Sequence, residues 1–317
     1  MLSINKRAFE IVQSLLADPD AYGINIEHLP SGPTVIDTGL NARGGYATGL
    51  RVTEIAMGGL GSATITMMDY EGLKLPSIFV ETSYPKIALF ASQLAGWKIK
   101  SEGYTADASG PARALSGKPG SVFRKIGYRD VSDIAVLLLE TESKPSDAVA
   151  LEVAKACNVD PKNLYLVLTS TTSLAGSIQI SGRIVEIGLF RLDFLGLDPD
   201  LIVYGSGCAP IMPVHPDLGR SMGRSEDALS YGGITNFVVD LADDQTLKEY
   251  AEKAPSSNSK DYGKPSYDIY KTVNFDFTKV DPAMFAPAVM TINNRRTGSF
   301  FTAGRVNADV LKKSLLA

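Results

Sequence analysis

Between residues 133 and 208 the chain alternates wholly apolar segments with amphipathic ones, and this constrains its fold more than any other feature. "DIAVLLLET" is an apolar run of buried-strand type, and "KPSDAVALEVAKACN" has the pattern of a capped helix. "LYLVLTS" is a second apolar strand, a helix begins near Ser173, and "DLIVYGSG" reads as a strand entering a glycine loop. Short apolar runs bounded by turn residues are strands buried on both faces, and helices between them allow parallel pairing. The expected class is therefore α/β with a partly parallel sheet.

The flanking segments extend this pattern. Ser3 to Leu16 places Ile4, Ala8, Ile11, Val12, Leu15 and Leu16 at helical spacing. "INIEHLPSGPTVIDTG" predicts two strands around a Ser-Gly-Pro turn. "TGLRVTEIAMGGLGSATITMM" predicts a helix stopped by Gly58-Gly59 and then a β-branched strand. In "LPSIFVETSYPKIALFASQLAG" a strand runs to about Thr82, Ser83 and Pro85 suit a helix start, and Gly96 suits its end. Strands near 234–240 and 288–302 and a helix near 307–316 are expected in the last third, with the polar stretch 254–270 as a long surface loop. The 317 residues suffice for two domains, with a division expected at 1–170 and 171–317.

Composition removes several classes of function. A net charge of −4 gives no basic footprint for a nucleic acid. Two cysteines, Cys157 and Cys208, make no disulfide framework, and with two histidines, His28 and His215, they offer no metal-ligand spacing. The first residues mix Lys6, Arg7 and Glu10 into a helical pattern without the apolar core of a signal peptide, and no apolar run is long enough to span a bilayer. The expectation is a soluble protein of the reduced cytoplasm, with no membrane partner and no metal.

Four segments concentrate glycine with small or polar residues: "ARGGYATG", "AMGGLGSA", "ASGPARALSG" and "YGSGCAPIMP". Glycine lets a ligand approach the backbone, although any one of these segments also reads as a loop or cap. None ends in the Lys-Ser/Thr of a phosphate loop, and prolines after "GSGC" interrupt the helix that a dinucleotide turn needs. The candidate ligand-lining residues here are Gly58, Gly59, Ser109, Pro111, Arg113, Gly205 and Gly207. In "SMGRSEDALSYGG" they are Met222, Gly223 and Arg224, at an expected helix start that Ser225 would cap.

"SIQISGRIVEIG" poses the sharpest question, because it reads as an apolar helix that nevertheless carries Gln179, Arg183 and Glu186. Arg183 and Glu186 lie three residues apart on one helical face, with Gln179 and the small Ser181 nearby. An exposed ion pair and a polar row facing a pocket both fit this spacing.

Taken together, "SIQISGRIVEIG", "GGYATGLRVTEIAMGGLG", "FVETSYPKIALFASQLAGW", "GSGCAPIMPV" and "MGRSEDALSYGG" resemble the methenyltetrahydromethanopterin cyclohydrolase family along the whole chain. The resemblance implies two α/β domains with a large substrate pocket between them, a homotrimer, and reversible hydrolysis of N5,N10-methenyl-tetrahydromethanopterin to the N5-formyl derivative in one-carbon metabolism. It implies no prosthetic group, tetrahydromethanopterin being the carrier of the substrate, and it places catalysis on Arg183 and Glu186. The chemistry suits those residue types. The methenyl carbon is the centre of an amidinium-like cation, so hydrolysis needs a positioned water and a base, which a carboxylate held by a guanidinium supplies. A non-catalytic pterin carrier, a formyltransferase with a second cofactor pocket and a nucleotide-binding protein are the competing readings.

Overall fold

The computed structural model describes residues 2–101 and 103–316. In chain order its strands are β1 (Asn25–His28), β2 (Thr34–Asp37), β3 (Gly61–Tyr70), β4 (Leu73–Thr82), β5 (Trp97–Ser101), β6 (Tyr104–Ser109), β7 (Ala135–Glu140), β8 (Leu164–Thr169), β9 (Ile202–Pro210), β10 (Ile234–Val239), β11 (Val289–Asn294) and β12 (Phe300–Gly304). They form two six-stranded sheets with helices between them in sequence, so the chain is α/β. The chain divides into two compact units, 1–62 with 86–179, and 63–85 with 180–317. This differs from a single cut at 170/171: the second break falls at 179/180, and residues 63–85, which hold most of the β3–β4 hairpin, belong with the C-terminal part.

In the first unit the strand order is β1-β2-β8-β7-β6-β5, with β2, β8 and β7 parallel and the remaining pairs antiparallel. Successive side chains of a strand point to opposite faces. Leu137 and Leu139 of β7 join Val149, Ala150 and Val153 of the helix Asp147–Cys157. Val136 and Leu138 join Ala8, Val12 and Leu15 of the helix Ile4–Ala17 and Val52 and Ile55 of the helix Tyr46–Ala56. Both faces of β7 are covered, which is why "AVLLLE" has no polar alternation. The segment after β4 coils as a π-helix, Lys86–Gln93.

The second unit has the order β12-β11-β10-β9-β4-β3, with β10 and β11 parallel and the pairs β9/β10, β11/β12 and β4/β9 antiparallel. Glu71 and Gly72 join β3 to β4 with φ of 52° and 87°, the geometry of a two-residue hairpin. The helix Ile184–Phe194 packs on β9 and β10. A second core gathers Ala228 and Tyr231 of the helix Leu218–Gly232, Ile269 and Tyr270 of Ser266–Thr272, and Val310 and Leu311 of Ala308–Leu316.

Four expectations are corrected here. "SIQISGRIVEIG" is two helices, Leu174–Ser181 and Ile184–Phe194, because Gly182 lacks helix propensity and the chain turns tightly there. Gly205 and Gly207 lie inside β9 rather than in a loop after it. Residues 224–227 sit mid-helix: Asp217, not Ser225, caps this helix, and its side chain accepts from Arg220 N at 2.9 Å. The stretch 254–270 is a packed covering rather than a surface loop, with Ala254, Ser256, Ser266, Ile269 and Tyr270 buried. Among the described residues no helix is long and apolar enough to cross a membrane.

Candidate functional site

Arg183 occupies the turn between the two helices at φ −82° and ψ 3° and is the N-cap of Ile184–Phe194. Its N–H donates to Ile180 O at 2.9 Å, and its own carbonyl accepts from Ile187 N at 2.8 Å. The second bond is a full helical turn, so Glu186 still stands three residues along the same turn. Arg183 and Glu186 are only 9% and 7% exposed, which excludes the exposed ion pair. Glu186 also lies in the first turn of its helix, where the macrodipole favours a carboxylate.

The helix is held against its sheet by absent side chains. A Cβ on Gly205 would lie 2.8 Å from Val185 Cγ1 and 3.1 Å from Phe237 Cε1. A Cβ on Gly207 would lie 3.1 Å from Ile184 Cγ2, and one on Gly188 3.0 Å from Phe237 and Thr235. Ser181, fully buried, donates to Pro210 O at 2.8 Å. The glycines therefore set the seat of the segment that carries Arg183 and Glu186.

A second pair of acids in this unit was visible in the sequence only as a helix start. Asp227 is fully buried and accepts from Ser266 N at 2.8 Å and Ser266 Oγ at 2.6 Å. Glu226 has Ser230 Oγ at 2.9 Å. Burial first, then the neighbouring charges, push Glu226 up to about 8 and Asp227 up to about 7. The charge of Glu186 is among those acting on Glu226. Perturbed acids of this kind cluster at functional sites.

In the first unit Glu140, at the C-terminal end of β7, accepts from Thr171 Oγ1 at 2.7 Å and from Gln179 Nε2 at 3.3 Å. Gln179 is 1% exposed. Gly176 lets its helix start over the end of β8, since a Cβ there would collide with Ser170 O. The C-terminal ends of parallel strands are where α/β sheets bind ligands. Glu140 was missed in the sequence, although an acid ending a buried strand was the available signal.

The other candidates have local partners. Gly58 and Gly59, at φ +67° and +65°, turn the chain against the helix Ile4–Ala17, where a Cβ on Gly58 would stand 2.7 Å from that of Ile4. Ser109 is buried at the end of β6, and the carbonyl of Pro111 accepts from Asn5 Nδ2 at 2.9 Å. Arg113 is wholly buried and donates to the carbonyls of Phe90, Ser92 and Lys118. Arg224 donates to Ser314 O, Leu315 O and Pro213 O, so it closes the C-terminal end of the last helix. A Cβ on Gly223 would lie 2.7 Å from Tyr267 N, and Met222 lines a cavity of about 430 Å³ with Leu218, Tyr267, Phe275 and Phe277. Burial pushes the Cys157 thiol up to about 12, which makes it a poor nucleophile. Among the described residues no three His, Cys, Asp or Glu side chains gather where they could hold a metal.

Comparison with known proteins bears on what this arrangement does. The family described as Cyclohydrolase (MCH) matches residues 3–315. The methenyltetrahydromethanopterin cyclohydrolase of Methanocaldococcus jannaschii is 43% identical over 318 residues, covering 99% of this chain and 98% of its own. That of Methanothermobacter marburgensis is 42% identical over 317 residues, covering 99% of each chain. The enzyme of the same name from Methanococcoides burtonii is 40% identical over 314 residues, covering 99% of this chain and 98% of its own.

Proposed function

The chain belongs to the cyclohydrolase (MCH) family, and from that premise we propose that it hydrolyses N5,N10-methenyl-tetrahydromethanopterin reversibly to N5-formyl-tetrahydromethanopterin. The observation that carries the reading is the buried Arg183–Glu186 pair, fixed on one turn by the Ile187–Arg183 backbone bond. Glu186 takes a proton from water as the water oxygen bonds to the bridge carbon. The cation becomes a neutral tetrahedral adduct. The C–N10 bond then breaks, N10 takes up a proton, and one proton per turnover is released. Arg183 keeps Glu186 ionised and oriented and donates to the oxygen developing on the bridge carbon. Because the substrate is already electrophilic, neither a metal nor a prosthetic group takes part. The resemblance to the family supports a cytoplasmic homotrimer, and light scattering of the purified protein will test the trimer.

Gly58, Gly59, Arg113, Gly205, Gly207, Gly223 and Arg224 we assign to packing, on the contacts described above. The test is loss of the methenyl absorbance with protein alone, compared with Glu186→Gln. An amide cannot take the proton, so turnover should fall ~10²–10⁴-fold with binding retained. Near-native turnover in a folded Glu186→Gln variant would remove Glu186 from the role.

A further inference from the structure

Ser230 Oγ lies 2.6 Å from the carbonyl oxygen of Met284 and 2.9 Å from Glu226 Oε1. A serine hydroxyl has one proton to donate, and a carbonyl oxygen has none. Facing two acceptors with one proton, the hydroxyl satisfies the shorter contact, to Met284, better. The contact with Glu226 is then a hydrogen bond only if the carboxyl supplies the proton. The neighbours ask for the same state. The ionisable groups acting on Glu226 are Asp227 of its own helix and Glu186 of Ile184–Phe194, and Glu226 in turn acts on the Tyr270 phenol of Ser266–Thr272. The other charged side chains of the packed helices, Asp268, Lys271, Asp309, Lys312 and Lys313, are exposed. On β9, Tyr204 is exposed and Cys208 is half-buried, its thiol held up to about 11 by burial.

We propose that Glu226 is a positioning residue that stays a neutral carboxylic acid, so that a second negative charge is kept away from Glu186. This rests on the reading of Glu186 as the water-activating base. Hydration turns a cation into a neutral adduct, so an added carboxylate would favour the reactant over the transition state. It would also repel ionised Glu186 and disturb its pairing with Arg183. Ionisation of Glu226, which the burial and charges described above hold off until about pH 8, should therefore slow the enzyme.

The experiment is kcat against pH for wild type and Glu226→Gln, with the uncatalysed rate subtracted. Glutamine is isosteric with the protonated acid and can donate to Ser230. Wild type should lose about tenfold in kcat between roughly pH 6.5 and 9, whereas the Gln variant should stay within about threefold of wild type at the lower pH and lose the decline. A decline retained in the Gln variant, or a folded Gln variant inactive at the lower pH, would overturn the proposal. Isotope-edited infrared spectra of wild type with ¹³C-labelled glutamate need neither variant nor substrate. A protonated carboxyl band that disappears above about pH 8 supports the proposal, and no such band near neutrality overturns it. A wild type that shows the band but does not turn over the methenyl substrate would refute the proposed function while leaving the neutral acid standing, so the two failures are distinguishable.

Discussion

Alanine at Gly205 separates a packing role from a ligand-lining one. The added Cβ would stand 2.8 Å from Val185 Cγ1, about 0.6 Å inside ordinary contact, and 3.1 Å from Phe237. Neither neighbour yields easily. Val185 is β-branched and fully buried on the helix, and Phe237 is fully buried in β10. The strain must be taken up by moving the helix outward by a few tenths of an ångström, and overpacking of this kind costs ~1–3 kcal/mol. That helix carries Arg183 and Glu186, and catalytic geometry is sensitive on this scale, a 1 Å error costing ~10²-fold. Gly205→Ala should therefore unfold at lower urea by ~1–3 kcal/mol and lose ~3–30-fold in kcat, with KM changed less than threefold. Urea unfolding followed by circular dichroism, with steady-state kinetics on the methenyl substrate, gives both numbers. If stability is unchanged and KM rises tenfold or more, Gly205 faces the substrate and the packing argument is wrong.

Three other outcomes follow from the same geometry. Arg183→Ala should cut turnover by ~10²–10³-fold and move the acid limb of the rate profile to higher pH, since Glu186 loses its cation. Arg183→Lys should recover the limb better than the rate, and three superimposable profiles would make the arginine a bystander. Stability should fall as pH rises from about 4 to about 8, because folded Glu226 and Asp227 hold protons that the unfolded chain releases over that window. From these shifts the loss is on the order of 4 kcal/mol for each acid, and Asp227→Asn, which keeps an acceptor for Ser266, should remove its share; a denaturation midpoint flat over this range would refute the burial argument. Activity should survive exhaustive chelation, and loss restored by one added metal would defeat the metal-free mechanism.

The α/β alternation was legible because it is a local property of the chain. Burial on both faces leaves "AVLLLE" without polar positions, and the helix after it shows its amphipathic period directly. The break at Gly182 was not legible, for a physical reason. A tight turn of one or two residues preserves the helical phase, so Ile180, Ile184 and Ile187 keep the spacing of one continuous helix while the axis changes. Arg183 and Glu186 stay three residues apart on one turn for the same reason, although the element boundary differs from the expected one.

The glycine segments were not resolved by the sequence, because glycine has two uses that composition cannot separate. Gly58 and Gly59 turn the chain at positive φ, whereas Gly205 and Gly207 lie in an extended strand and are there for close approach. The second use did leave a trace: spacing by two puts both glycines on one face of a strand, which a packed helix requires and a loop does not. The arginines left no trace of this kind. Arg224 bonds carbonyls 90 and 91 residues away, and Arg113 bonds carbonyls on the preceding π-helix. Glu226 lies between these extremes. Its partner Ser230 is four residues on and could be read from "SEDALS", but which of the two holds the proton is decided by the Met284 carbonyl, 54 residues from Ser230. The protonation proposed for Glu226 thus depends on tertiary packing, and a substitution near Met284 that displaces this carbonyl should change the alkaline rate without touching any ionisable group.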